Sequence, residues 1–129
     1  MKWHRSALNP QALDRLYDDV PELDGVELFS VELNFERSNI RIRFDLPEFP
    51  DRPPKRRPPG FNTVQVELAF WRITDFAAQG WPSDGKVKIE IENDERSKKV
   101  FLSNPETGLT FSFSCETFRI ENVTAYQNE

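Results

Sequence analysis

Apolar and polar residues alternate along most of this chain, and the breaks in that alternation are as informative as the runs. Ile40, Ile42, Phe44 and Leu46 alternate with Arg41, Arg43 and Asp45, the period of two expected of a strand with one face on a core. Just upstream the phase slips: Val26 and Leu28 fall on even positions, whereas Phe29, Val31, Leu33 and Phe35 fall on odd ones. One extra residue near Leu28-Phe29 reconciles the two sets, so a β-bulge is expected there. With a tight turn at Ser38-Asn39, residues 26–46 read as a β-hairpin.

Further strands follow. Phe61 to Ile73 is apolar on both faces, with Val64, Val66, Leu68 and Phe70 on one and Ala69, Trp71 and Ile73 on the other, which suits a central strand. Phe76 to Pro82 interrupts alternation, and Ser83-Asp84-Gly85 reads as a turn. Val87, Ile89 and Ile91 form the next strand, with Lys86, Lys88, Glu90 and Glu92 outward. After a turn at Asn93 to Ser97 come Val100 and Leu102, then a turn at Pro105 to Gly108. Leu109, Phe111, Phe113 and Cys115 alternate in turn, and Phe118, Ile120 and Val123 carry a last strand with an irregularity at Asn122.

Near the N-terminus, Asn9-Pro10 is a good helix start, because the Asn side chain can accept from an orphan amide and Pro fits the first helical position. Ala12, Leu13, Leu16, Tyr17 and Val20 recur at helical spacing, predicting a helix to Tyr17 or Asp19 that Pro21 blocks. The expected class is α+β, mostly β, with one N-terminal helix packed on a curved antiparallel meander of about seven strands. Such a sheet curls, or splits into a sandwich or half-barrel, because a flat one could not cover its own apolar face. Residues 1–129 read as a single domain without internal repeats.

Composition sharpens this picture. Apolar residues make up 37% of the chain, but 11 Phe and 3 Trp supply large side chains, so the core is expected to be aromatic. The 22 acids outnumber the 17 bases, and the net charge of -5 opposes binding to nucleic acid and to anionic membrane while favouring a basic partner. Charge is also segregated. Asp14, Asp18, Asp19, Glu22, Asp24, Glu27, Glu32 and Glu36 face Arg15 alone, and then Arg37, Arg41, Arg43, Arg52, Lys55, Arg56 and Arg57 face only Asp45, Glu48 and Asp51. An acidic side and a basic edge are expected. The single cysteine can make no internal disulfide, no early stretch has signal-peptide character, and no window reaches the ~18 apolar residues of a span. A cytoplasmic protein is the expectation.

Candidate chemistry is sparse. His4 and Cys115 are the only imidazole and thiol, too few for a transition-metal site; His4 is expected in a flexible terminus, and Cys115, sharing the parity of Phe111 and Phe113, as a buried inert thiol. Asp18-Asp19 and the Glu90, Glu92, Asp94, Glu95 group are the dense carboxylates, but Glu90 and Glu92 fall on the wet face of a strand with nothing apolar to raise a pKa. No glycine-rich phosphate loop is present. The chain therefore reads as no enzyme, with no catalytic set, no metal and no cofactor. Pro53 to Pro59 could dock an aromatic groove as a polyproline helix, but Phe49 and Phe61 tie both ends down and favour a rigid loop. Trp71 and Trp81 are assigned to packing.

In order, Trp3, the Asn9-Pro10 helix, Val20-Pro21-Glu22-Leu23, Phe44-Asp45-Leu46-Pro47, the double proline with Lys55, Phe61-Asn62-Thr63-Val64 and Gly80-Trp81 resemble the Immunity protein 50 family. The likeness runs through most of the chain as far as Trp81; Arg56 stands where that pattern often carries an aromatic. The resemblance implies a bacterial cytosolic immunity protein that binds a cognate protein toxin and occludes its surface, with no catalysis. On that reading Asp18, Asp19, Glu22 and Asp24, clustered after the helix, are the expected toxin-facing acids. Two other classes compete: a carrier whose curled sheet holds an apolar cavity of a few hundred Å³, and an adaptor or structural module assembling through strand edges, for which a homo-oligomer would speak.

Overall fold

One open antiparallel sheet of eight strands dominates the fold, and a computed structural model describes it over residues 2–46, 48–54, 59–81, 86–94 and 96–127. A 3-10 turn at Trp3–Ser6 and a short helix α1 at Gln11–Asp14 precede β1 (Asp24–Asn34), β2 (Asn39–Asp45), β3 (Thr63–Trp71), β4 (Thr74–Gln79), β5 (Lys86–Asn93), β6 (Lys98–Asn104), β7 (Leu109–Cys115) and β8 (Thr117–Tyr126). The predicted turn at Ser83-Asp84-Gly85 lies outside the described residues, as do Glu95 of the Asn93 to Ser97 turn and Lys55 to Pro58 of the proline segment.

The strand order β4-β7-β6-β5-β1-β2-β3-β8 corrects the expected sequential meander. β1-β2-β3 and β5-β6-β7 are each meanders, but they join through β1 and β5 instead of through β3 and β4. The length of β1 makes this possible. Its 11 residues pair with β5 over Asp24 to Glu27 and with β2 from Glu27 to Asn34, so one strand serves two neighbours in succession. The added strand is β4, whose residues are all exposed. With no buried face it shows no inward parity, which is why alternation fails to reveal it.

The sheet curls around an aromatic core without closing. Phe70 of β3 lies 5.1 Å from Phe113 of β7 and 5.3 Å from Phe118 of β8, centroid to centroid, although β2, β1, β5 and β6 separate β3 from β7 in the sheet. Only strong curvature brings those faces together. Phe44, Phe70 and Phe118 are fully buried, as the composition suggested. The register shift between Leu28 and Ser30 places the expected bulge at Phe29. A second shift pairs Glu67 with Asn122 but Leu68 with Ile120, leaving Glu121 as the extra residue of the predicted irregularity.

The N-terminal segment departs from expectation. α1 spans four residues, with single helical hydrogen bonds continuing only as far as Tyr17. Asn9 does not cap it. Its amide group instead brackets Ile120 of β8, donating to the carbonyl at 2.8 Å and accepting from the amide at 2.8 Å, while Leu8 N–H donates to Phe118 O at 2.9 Å. Tertiary hydrogen bonds across 111 residues have taken the place of the local cap. His4 is buried at 2% exposure, which corrects the flexible terminus: its Nε2 lies 2.9 Å from Asp14 Oδ1. Beside it Trp3 donates from Nε1 to Pro21 O at 3.0 Å.

Candidate partner-binding groove

The slip in phase at Phe29 shapes an apolar groove. Beyond the bulge, Val31 and Leu33 stand opposite Ile42 and Ile40 and face inward, while Ser30 and Glu32 stand opposite Arg43 and Arg41 and face outward. β5 has already ended its pairing at Glu27, so β1 overhangs it from Leu28 to Asn34. Under this overhang Leu28, Val31 and Leu33 face Ala78 and Trp81 from the β4 end, together with Leu102, Leu109 and Phe111, across a groove of about 350 Å³. A second hollow of about 250 Å³ shares Leu33 and continues towards Phe35, Ile73 and Phe76.

Large side chains rim these hollows without being covered. Phe35 is 88% exposed, Trp81 82% and Phe29 67%. Trp81 thus corrects the expectation that its indole packs. The residue before it explains the placement: Gly80 adopts φ 83°, and a Cβ there would sit 2.7 Å from Gly108 O. Only glycine lets the end of β4 press against that turn and release the chain outward. The floor is built more firmly. Phe76 packs edge-on to Phe111 at 5.0 Å, Phe111 on Phe113 at 6.4 Å, and Phe113 on Phe70, a relay of rings from rim to core.

The acids predicted from sequence lie in another region, beside α1. Asp18 is bound by the Arg52 guanidinium, which also donates to the carbonyls of Asp14 and Arg15 at the end of α1. Asp19 and Glu22 converge on Lys2 Nζ at 2.9 and 3.5 Å, and the ammonium is pushed up first by its hydrogen bond to Asp19. Asp24 opens β1 opposite Lys88. Hence the expected acidic side is largely met by the molecule's own bases. The basic edge is met likewise: Arg41 and Arg43 reach the buried carboxylate of Glu67 at 3.1 and 2.9 Å.

By contrast, no ion pair among the described residues engages Glu27, Glu32 or Glu36, which follow β1 into its turn. Phe29 and Trp81 were the functional candidates that sequence reasoning missed. The phase break at Leu28-Phe29 was the available signal for the first, since a bulged residue leaves the inward face; the second offered only a Gly-Trp pair.

Burial pushes the Cys115 thiol up to about 11 against a smaller opposing pull from Lys98, in keeping with an inert side chain. Burial likewise raises Tyr17, whose hydroxyl donates to Glu48 O at 2.8 Å. No cluster of three or more metal-ligating side chains occurs among the described residues. No helix among them is long and apolar enough to cross a membrane.

The family model for Immunity protein 50 matches residues 9–126. The chain belongs to the Immunity protein 50 family. The match runs from the Asn9 clamp to the end of β8, so β1, β4 and the groove between them are family territory. Comparison with curated proteins and with solved structures gives no significant match.

Proposed function

We propose that this chain is a bacterial cytoplasmic immunity protein, which neutralises a cognate toxin domain by binding it and occluding its surface. The observation that carries the reading is the groove under β1: a family member whose large apolar side chains stand uncovered around one apolar cleft has a surface suited to another protein. Phe29 and Trp81 supply anchors, and the ring relay beneath them holds the floor in place before binding, which limits the entropy lost on association. No group has to react. Glu27, Glu32 and Glu36, which make no ion pair among the described residues, favour a basic toxin face and speed encounter by steering. Asp18, Asp19, Glu22 and Asp24 remain a second candidate face, weakened for this task because Lys2 and Arg52 already answer three of them.

The groove volume also favours the small-ligand carrier, since about 350 Å³ with an apolar lining lies within the range of ligand sites. Its rim argues the other way, because Phe29 and Trp81 project outward instead of closing over a guest.

Growth rescue tests the proposal. The C-terminal toxin domain of the protein encoded beside this chain is expressed in a heterologous bacterium with and without it. Rescue together with a 1:1 complex is expected; undiminished killing beside abundant soluble chain would overturn the assignment. Loss of the complex on adding a fatty acid would move the groove towards the carrier.

A further inference from the structure

Stretches of strand edge in this sheet are treated differently. β8 is covered at its start by the N-terminal segment, because Leu8 bonds Phe118 O and Asn9 brackets Ile120. β4 is short and irregular: its pairing with β7 shifts between Thr74 and Ala77, with Asp75 at φ 54°. Covering and distortion are the usual defences of an edge. The overhang of β1 carries its one bulge at Phe29 and is regular from Ser30 to Asn34, and beyond Glu27 it pairs with β2 alone among the described residues. Its outer row of main-chain donors and acceptors borders the apolar groove.

Building on the toxin-binding reading, we infer that the partner enters as an extended segment that adds to β1 antiparallel or parallel along Leu28 to Asn34. The two faces of the overhang define that segment's chemistry. Inward, Val31 and Leu33 ask for apolar side chains that drop into the groove; outward, Glu32 and the neighbouring Glu36 ask for Lys or Arg. An alternating apolar and basic strand meets both demands. A second copy of this chain does not. Edge-to-edge pairing of two β1 strands would bring Glu32 and Glu36 of one copy near those of the other, and like charges close across a sheet repel. The occupant is therefore a strand of a basic partner, held by main-chain hydrogen bonds and met by the projecting Phe29 and Trp81.

Amide hydrogen exchange on the full chain, free and bound to the neighbouring toxin domain, tests this. Main-chain amides within Leu28 to Asn34 should slow at least tenfold on binding, while those of β8 and of residues 18–24 keep their free rates. A double variant, Glu32→Lys with Glu36→Lys, should slow association severalfold at low salt without lowering the melting temperature. Rescue of growth with unchanged exchange along β1 would overturn strand addition and leave the toxin-binding reading intact. Failure of rescue would remove both. A complex whose protection falls on residues 18–24 would transfer the interface to the sequence-predicted acids and also overturn the inference.

Discussion

The two ends of this molecule spend similar side chains in opposite ways. At the α1 end, Trp3 and Tyr17 are buried and hydrogen-bonded, and acids are matched by Lys2, Arg5 and Arg52. At the groove end, Phe29, Phe35 and Trp81 are exposed, and the acids of β1 have no ion-pair partners among the described residues. The difference teaches that density of charge in a sequence is a poor guide to an interface. What matters is whether the fold consumes the charge internally, and that depends on residues far away in the chain, such as Arg52 for Asp18.

Substitution should break the comparison most sharply at Trp3. Trp3→Ala removes a buried indole and its bond to Pro21, so a loss of about 3–5 kcal/mol is expected in urea unfolding, with affinity per folded molecule unchanged. The mirror result belongs to the groove. Trp81→Ala and Phe29→Ala should each weaken toxin binding by about 2 kcal/mol, roughly 30-fold by calorimetry, while moving stability by no more than about 0.5 kcal/mol. If either destabilises the chain as Trp3→Ala does, the contrast between the ends fails.

Smaller effects sharpen it. Asn9→Ala should cost about 1–2 kcal/mol in stability, because both polar groups of Ile120 lose their bracket. Reversing Asp18, Asp19, Glu22 and Asp24 together should change toxin association less than the Glu32 and Glu36 pair does; a larger, salt-sensitive loss from the four would restore them as the toxin face. Tyr126 gives the weakest effect. Its hydroxyl donates to Asp45 at 2.6 Å, and burial first, then that carboxylate, raises its pKa from the usual 10 to about 12. The neutral phenol is the form favoured by folding, so its contribution is complete below pH 10 and disappears as pH rises from 10 to about 12. Unfolding midpoints across that window should fall less steeply for Tyr126→Phe.

Much of this was legible in the sequence wherever a residue answered to its near neighbours. The hairpin of β1 and β2, the bulge at Phe29, the irregularity beside Asn122 and the buried Cys115 all follow from a period of two and from where it slips. The likeness to Immunity protein 50 also stood in a run of short elements. Topology was not legible, because nothing local says that β1 will divide its length between β2 and β5. Nor was the fate of Asn9, since a side chain that can cap a helix can equally hold a strand, and the winning partner lies beyond one hundred positions away. Trp81 escaped for the converse reason: an indole beside glycine reads as filler until Gly108 is found against it.

The bracket that Asn9 places on Ile120 also bears on the timing of synthesis. On the ribosome, the segment that seals the β8 edge is made early but has nothing to hold until residue 120 has left the exit tunnel. Until then the outer border of β3 stays bare, and Leu8 and Asn9 wait while Trp3 and His4 already have Pro21 and Asp14 to hold.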